Sequence, residues 1–301
     1  MANEQQLCME LISTILFLIY IQKMIFLYHL VQMPPILLFF LIVFIGGTTA
    51  GLSTYLFRKY TNLKVLRSHN EVTGFLFVVI ASFYSFLLSF IVFIVWGQLN
   101  ETRGNASKEG SYAMGLYRDI KFYPDTVESK QLMLVYLDFA YNVIDEEFPN
   151  MRQMKPSRKT NESFNRVFYK IEHLNPKNPF QIQLVAEMFN NLNQLATYRG
   201  LRITTSENEI PSPLWFPILF GALIILLCSM MLDIEHKRMH IILNTFLGVF
   251  IGMILFIIIL LDHPFTGSLG INPNEYRQIF TMEQWYNEMH VKNGIEIETK
   301  E

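Results

Sequence analysis

Charge and cysteine are both scarce in this chain of 301 residues. Only 17% of the residues are Asp, Glu, Lys or Arg, and the formal net charge is −2. A protein that binds nucleic acid through its phosphates needs a basic surface, so this composition argues against that class of partner. The two cysteines, Cys8 and Cys228, provide neither a disulfide framework nor a Cys-x-x-Cys metal pattern.

Sequence motifs of enzymes are missing as well. The chain has no HExxH, no GxSxG, no phosphate-binding loop and no dinucleotide-binding fingerprint. We therefore predict that the protein is not an enzyme and uses no cofactor. Its long apolar segments also lack charged residues, and such residues normally mark the coupling sites of secondary transporters. Secondary active transport is therefore disfavoured too.

Long apolar runs, in contrast, are plentiful. Four of them contain no Lys, Arg, Asp or Glu, and each roughly matches the ~20 residues that cross a ~30 Å hydrocarbon core. They predict an all-α membrane protein with four transmembrane helices and a helical soluble insert between the second and the third. The runs are Pro34 to Phe57, Val72 to Trp96, Leu214 to Leu232 and His240 to Leu261.

These runs divide the chain into five predicted parts. The parts are an apolar N-terminal segment (1–33), a first transmembrane pair (34–97), the insert (98–212), a second transmembrane pair (213–262) and a C-terminal tail (263–301). The N-terminal segment has its own interruption at Gln22 and Lys23. It could lie in the membrane interface as an additional helix, or insert with Lys23 reaching back to the surface. Translation could instead start at Met24 or Met33.

The insert has the pattern of several helices. Predicted breaks are Tyr123-Pro124, Phe148-Pro149 and the stretch 175–179, where Asn178 before Pro179 is typical of a helix N-cap. A further amphipathic helix is predicted from Asn274 to Met289. Two apolar stripes with helical spacing predict core positions, and they are Leu132, Val135, Tyr136, Phe139 and Val143, then Val185, Met188, Phe189, Leu192 and Leu195.

Small residues in two of the apolar runs predict close helix contact. Gly47 and Gly51 form a GxxxG pair in the first run, and Gly248 and Gly252 repeat this spacing in the fourth. Small residues let membrane helices approach each other closely. The contact could lie within a subunit or between subunits.

The second run carries small and hydroxylated residues on one helical face. A face of this kind could line a water-filled path through the membrane. It could equally serve helix packing. The residues are Gly74, Val78, Ala81, Ser82, Ser85 and Ser89.

Ionisable residues cluster in two short loops that must emerge on the same side of the membrane. His69 and Glu71 precede the second run, while Asp233, Glu235 and His236 precede the fourth, which begins at His240. We predict a proton-sensitive or cation-sensitive site there, because His236 and His240 have the i, i+4 spacing that suits a metal. The alternative is that these residues only mark where helices leave the lipid.

Three other charged groups allow two interpretations each. Arg199 and Arg202 could attract anions at a vestibule, or could be solvated surface residues. Asp262 could form a salt bridge with a neighbouring arginine at the end of the fourth run. The acidic residues 145–147 resemble a cation-binding clasp, but a carboxylate run at a helix end is usually solvated.

Several short motifs follow one another from about His69 to Pro273. Their residues are His69, Asn70, Glu71, Trp96, Arg118, Glu147, Pro149, Arg199, Arg202, Trp215, Asp262, Pro264, Phe265 and Gly267. Together and in this order, these motifs resemble those of the bestrophin-like membrane proteins found widely in bacteria, with Phe148 where that family usually has Trp and Gly110 where it often has Ala.

The resemblance implies an architecture and, through it, a function. Bestrophins are homopentamers whose four-span subunits surround one axial pore lined by the second span. By this similarity the protein is a homo-oligomeric channel for small inorganic ions in a bacterial plasma membrane, and Phe93 narrows its pore. The alternative is a non-conducting sensor or scaffold whose insert binds a partner.

The side of the membrane that the insert faces has two conflicting indications. Arg58, Lys59, Lys64 and Arg67 crowd one short loop, and the positive-inside rule places that loop in the cytoplasm. The insert would then face outwards. Bestrophins, in contrast, keep the corresponding domain in the cytosol.

Overall fold

The computed structural model describes residues 33–61, 69–124, 127–151, 157–206, 210–265 and 270–292. The predictions on residues 1–32, Lys64, Arg67 and Gly267 lie outside the described residues. The described residues are helical and contain no strand, which confirms the all-α prediction. The helices are α1 (Pro35–Tyr60), α2 (Asn70–Phe122), α3 (Val127–Asn142), α4 (Phe148–Met151), α5 (Arg158–Glu172), α6 (Pro179–Ser206), α7 (Ser212–Met231), α8 (Lys237–Leu261) and α9 (Asn274–Lys292).

Four of these helices are long and apolar enough to cross a membrane. They are α1, α2, α7 and α8, in agreement with the four apolar runs. The chain forms two compact units. The first contains residues up to Gly97 and Glu209–Leu269, and the second contains Gln98–Asn208 and the residues from Gly270 onward. Helix α2 contributes its first half to one unit and its second half to the other.

In the first unit, glycines bring α1 and α8 into close contact. A Cβ atom added to Gly46 would lie 2.6 Å from the carbonyl oxygen of Gly248, and one added to Gly252 would lie 3.1 Å from that of Ile42. A Cβ atom added to Gly51 would lie 2.6 Å from Thr245 Oγ1. The predicted close contact is therefore present, and it lies within one subunit.

In the second unit, the two predicted apolar stripes form much of the core. Leu132, Tyr136 and Phe139 on α3 are fully buried, as are Met188 and Leu192 on α6. Burial of these side chains is the main favourable term for a soluble helical unit. The core prediction for both stripes is thus confirmed, with Val135, Val185 and Phe189 partly buried at the edges.

The predicted helix ends are confirmed at two of three places. Helix α2 ends before Tyr123-Pro124, and α6 begins at Pro179, where the N–H of Gln181 donates to Asn178 Oδ1 at 2.8 Å. Asn178 is therefore the N-cap that the sequence indicated.

The predicted break at Phe148-Pro149 is wrong. A π-helical turn covers Val143–Glu147, and the N–H of Phe148 donates to the carbonyl oxygen of Val143, five residues back. Proline lacks an N–H and clashes with the carbonyl four residues earlier in an α-helix. The wider π turn makes room for Pro149, so the chain continues in α4 without a break.

The C-terminal segment contains the helix that its sequence predicted. Helix α9 belongs to the second unit. The side chain of Glu275 lies so close to Gly110 that a Cβ atom there would overlap it. A glycine at position 110 therefore allows α9 to pack against α2.

Candidate pore-lining face and buried charge clusters

Most of the face of α2 with small and hydroxylated residues is left exposed within a single subunit. In the first unit, α2 buries Tyr84, Leu88, Ile91 and Val95 instead. The hydroxyl of Tyr84 donates to the carbonyl oxygen of Ile218 at 2.9 Å, which fixes this packed face against α7. Packing inside one subunit therefore does not explain the small-residue face.

The residues of that face are open to the surroundings of a single subunit. Val78 is 59% exposed and Phe93 is 73% exposed, and a Cβ atom added to Gly74 would meet nothing within 4 Å. Gly74 and Ala81 are partly buried, and the remaining members are exposed. We call Gly74, Val78, Ala81, Ser82, Ser85, Ser89 and Phe93 the lining face.

A polar cluster lies in the first unit where α1 ends and α8 begins. Arg58 Nη1 is 3.0 Å from His240 Nδ1, and Arg58 Nη2 donates to the carbonyl oxygen of Ile234 at 2.8 Å and lies 3.8 Å from Asp233 Oδ1. His240 Nε2 is 3.0 Å from the carbonyl oxygen of Ser229. Because a guanidinium can only donate, His240 accepts at Nδ1 and donates from Nε2.

Two amides extend this polar cluster to α2 and α7. Asn70 Nδ2 donates to the carbonyl oxygen of Asp233 at 2.8 Å, and the N–H of Asp233 donates to Asn70 Oδ1 at 3.1 Å. Asn244 Nδ2 donates to Thr54 Oγ1 at 2.9 Å, and the hydroxyl of Ser229 donates to Asn244 Oδ1. These bonds satisfy polar groups that would be costly in lipid.

The structure thus joins only part of the predicted ionisable site. It brings Asp233 to His240 through Arg58, a residue that the sequence argument had assigned only to membrane orientation. His69, Glu71, Glu235 and His236 are exposed. Among the described residues, no three His, Cys, Asp or Glu side chains come together in a way that could hold a metal. The proton- or metal-sensitive site stays a prediction.

In the second unit, two arginines and two glutamates form a buried arginine–glutamate cluster. Arg202 Nη2 donates to Glu109 Oε1 at 2.9 Å, and its guanidinium also donates to Glu147. Arg199 Nε is 3.1 Å from both carboxylate oxygens of Glu147. Tyr276 completes the cluster with a hydroxyl that donates to Glu109 Oε1 at 2.8 Å.

The expectation that Arg199, Arg202 and Glu147 are solvated is wrong. Arg202 is 0% exposed, and Arg199 and Glu147 are also buried. Equal numbers of positive and negative charges meet in the cluster, so each buried charge has a partner and the cost of removing it from water is offset. Neither arginine is available at the surface to attract anions.

The pKa values of the cluster follow from this pairing. Burial alone would raise the pKa of Glu147, but Arg202 and Arg199 outweigh it and hold that pKa below its ordinary value. Burial opposes the charge of Arg202, yet Glu109 and Glu147 raise its pKa. Burial next to Glu109 also raises the pKa of Tyr276 well above its ordinary value. Arg202 and Glu147 therefore stay ionised at neutral pH.

Aromatic rings cover the guanidinium groups of this cluster. The ring centre of Phe148 is 4.5 Å from Arg202 Cζ, and that of Phe164 is 5.3 Å from Arg199 Cζ. A cation is attracted to the face of an aromatic ring. Phe148 therefore places an aromatic ring against Arg202.

Sequence reasoning missed Glu109 and Tyr276 as members of the cluster. Glu109 precedes Ala113 and Leu116 by four and seven residues, and both of those side chains are fully buried. That spacing places a carboxylate on the core-facing side of an amphipathic helix, where it requires a positive partner. The spacing of Glu109 from these two apolar residues could have been recognised in the sequence.

The remaining residues of the motifs that resemble the bestrophin-like family differ in their burial. Asp262 is buried and its Oδ1 accepts the N–H of Ile210 at 2.7 Å, and Phe265 is buried nearby in the chain. Trp96 and Arg118 are exposed, while Pro149, Trp215 and Pro264 are partly buried. Asp262 therefore holds the backbone at Ile210 in place.

The four long apolar helices define an integral membrane protein. A model of the Bestrophin-like domain matches residues 44–276. The chain therefore belongs to the Bestrophin-like family. No curated protein matches the sequence.

Solved structures support the same fold. A bacterial bestrophin homologue from Klebsiella pneumoniae is similar with a TM-score of 0.58 at 15% identity, over 81% of this chain and 95% of that chain. A point variant of that homologue has a TM-score of 0.55 at 15% identity, over 81% and 97%. A crystal structure of a membrane protein variant has a TM-score of 0.57 at 15% identity, over 82% and 98%. At this level of identity the similarity concerns the fold alone.

Proposed function

We propose that this protein is an oligomeric ion channel that conducts small ions passively along the lining face of α2. One observation carries the proposal: the lining face is rich in small and hydroxylated residues, yet it is not covered within the subunit. A helix in lipid gains nothing from exposing serines, whereas a pore wall needs groups that tolerate water.

A single subunit cannot enclose a path with one helix. Several copies placed around an axis would bring their α2 helices together, and the similarity to bestrophin channels supports five. Each copy would contribute Ser82, Ser85 and Ser89 to a polar wall. The exposed ring of Phe93 would form an apolar constriction, as hydrophobic residues do in channels that gate by dewetting.

The polar cluster and the arginine–glutamate cluster have a supporting role in this proposal. Glu109 on α2 is held by Arg202 and Tyr276, and Asn70 on α2 is held by Asp233. These bonds hold Asn70 in place within the first unit and Glu109 within the second.

Ion flux through purified protein in liposomes tests the proposal. Substituting Ser85→Trp places a bulky ring on the lining face and should abolish flux of chloride and potassium. The matched control is Leu223→Trp, because Leu223 on α7 is 50% exposed and lies off the lining face. We expect the control to conduct like the unmodified protein.

The other outcomes of this experiment also distinguish between the proposed channel and its alternatives. Equal flux through both variants would move the path away from the lining face. No flux from folded, oligomeric protein, across several pH values and with added calcium, would favour the non-conducting sensor or scaffold. A monomer or dimer without an axial arrangement would favour it as well.

A further inference from the structure

A carboxylate lies one turn before the lining face of α2. Glu71 is in the first turn of the helix, three residues before Gly74 and seven before Val78. Positions related by three, four or seven residues lie on the same side of a helix. Ser89 follows Glu71 by 18 residues, which make five complete turns at about 3.6 residues per turn. Glu71 therefore lies on the side of α2 that carries the lining face, and all of these positions belong to the first unit.

The side chain of Glu71 is open to the surroundings of a single subunit. It is exposed, whereas the neighbouring Asn70 is partly buried. Asn70 Nδ2 donates to the carbonyl oxygen of Asp233 at 2.8 Å, and Asn70 Oδ1 accepts the N–H of Asp233 at 3.1 Å. Successive residues of a helix point about 100° apart. The first turn of α2 is therefore attached to its subunit through Asn70, which leaves Glu71 exposed beside it.

Glu71 is the one charged residue that α2 contributes to the first unit. The stretch from Val72 to Gly97 contains no Asp, Glu, Lys, Arg or His. Glu71 forms no ion pair with any residue in the described part of the chain. An exposed glutamate carries a negative charge at neutral pH. The side of α2 that carries the lining face therefore has a single charge per subunit within the first unit, and that charge is negative.

The other charged residues described at this end of the first unit belong to other elements. Arg58 Nη2 donates to the carbonyl oxygen of Ile234 at 2.8 Å and lies 3.8 Å from Asp233 Oδ1, so Arg58 is held in the polar cluster. Lys59 Nζ lies 5.3 Å from the ring centre of Tyr60. The exposed ionisable residues next to α2 and at the start of α8 are His69, Glu235, His236, Lys237 and Arg238. None of these residues belongs to α2, and Lys64 and Arg67 lie outside the described residues.

We propose that Glu71 draws small cations to one end of the lining face and gives the path a preference for cations over anions. This inference rests on the proposed channel, in which each copy contributes one Glu71 and the acidic ring is incomplete without the others. Rings of Asp or Glu side chains select cations in channels. Such a ring raises the local concentration of ions of the opposite sign and repels ions of its own sign.

The position of Glu71 limits its effect to one end of the path. At about 1.5 Å per residue, Val78 lies about 10 Å and Ser82 about 16 Å further along α2. Exposed charges are screened beyond about 10 Å at 0.1 M salt. The preference for cations should therefore be strong at low salt and should weaken as the salt concentration rises.

Permeability ratios measured under a potassium chloride gradient test this inference. Glu71→Gln should lower the ratio of potassium to chloride permeability by about threefold or more, and Glu71→Lys should lower it further. Flux itself should remain measurable, because the serines of the lining face are unchanged. Retained flux with an unaltered ratio in both Glu71 variants would overturn the inference.

The matched control is Glu128→Gln, which removes an exposed glutamate from the first turn of α3. Both Glu→Gln substitutions remove a favourable interaction with a helix N-terminus. A change of the permeability ratio in Glu71→Gln alone is therefore due to the place of Glu71 on α2. An equal change in Glu128→Gln would contradict the inference.

A second measurement is independent of conduction, and it decides if a Glu71 variant loses flux. A cysteine replaces Val78 in a protein whose Cys8 and Cys228 are replaced by serine. One carboxylate about 10 Å away is largely screened at 0.1 M salt, so a charge preference at position 78 requires the carboxylates of several copies. A cationic thiol reagent should react faster than an anionic one of the same size, and Glu71→Gln should remove that preference.

The outcomes of this labelling separate the inference from the proposed function. If the preference is present and depends on Glu71 but the protein conducts no ions, only the proposed channel fails. If the preference is absent or survives Glu71→Gln, the inference fails, whether or not the protein conducts.

Discussion

The two units of this protein differ in how they bury charged side chains. The first unit packs its helices through glycines, and an arginine–aspartate contact lies where helices end, with Arg58 Nη2 3.8 Å from Asp233 Oδ1. The second unit buries Arg202, Glu109 and Glu147 completely. In the first unit small size is what matters at the helix contacts. In the second unit complete pairing of charges is what matters.

The largest expected effect comes from breaking the arginine–glutamate cluster. Substituting Arg202→Met leaves two buried carboxylates with too few positive partners and should lower the free energy of unfolding by about 3 to 5 kcal/mol. The matched control is Arg166→Met, since Arg166 and Asp138 are 56% and 47% exposed, and such surface pairs contribute less than about 1 kcal/mol. Denaturant unfolding in detergent micelles measures both. Similar losses of unfolding free energy in Arg202→Met and Arg166→Met would show that the buried ion pairs contribute no more to stability than the exposed pair.

A smaller effect is expected from the glycine contact in the first unit. Substituting Gly46→Ala places a methyl group 2.6 Å from the carbonyl oxygen of Gly248, so the two helices must separate. Overpacking of this kind typically costs about 1 to 3 kcal/mol. In Gly104→Ala the added methyl group meets nothing within 4 Å, and we expect unchanged or slightly higher stability. Thermal unfolding compares the two variants, and equal melting temperatures would contradict the contact.

The smallest effect concerns Glu283, which joins α9 to α2. Burial alone would raise its pKa, but hydrogen bonds from Tyr117 at 2.6 Å and Lys121 outweigh it, so the pKa of Glu283 is lowered. A carboxyl with a lowered folded pKa stabilises the protein above its ordinary pKa of about 4.3, and this contribution is lost as the pH falls further.

Substituting Glu283→Gln should therefore cost less than about 1 kcal/mol at pH 7, and the difference from the unmodified protein should shrink below about pH 4. Glu172→Gln, at an exposed position that ends α5, is the control and should show no such pH dependence. Unfolding measured from pH 7 down to about 3.5 checks both variants. A constant difference across this range would exclude the ionised carboxylate as the cause.

Much of the fold could be predicted because its causes are local. Charge-free runs fix the four spans, and Asn178 before Pro179 fixes a helix start, since both depend on neighbouring residues alone. The burial of Arg199 and Arg202 in ion pairs could not be predicted in that way. Glu109, a partner of Arg202, lies 93 residues away from it in the sequence, and Glu147, the partner of Arg199, lies 52 residues away. The π turn at Pro149 was missed because proline inside a helix usually ends it.

The candidate site shows the same division. The small-residue face of α2 is visible from helical spacing, but the sequence cannot distinguish a packed face from an open one. That distinction comes from burial, since the structure buries Tyr84 and Leu88 but leaves Ser85 and Ser89 exposed. The joining of Arg58 to His240 depends on how α1 and α8 pack, and hydropathy does not contain that information.

Reversible block of conduction at position 85 tests the central claim most directly. A Ser85→Cys channel, with Cys8 and Cys228 replaced by serine, is reconstituted in a planar bilayer and treated with a bulky thiol reagent. The account predicts that the current stops and that a reducing agent restores it, whereas a cysteine at Leu223 has no effect. A current that continues after complete modification of Ser85→Cys would contradict the proposal that α2 lines the path.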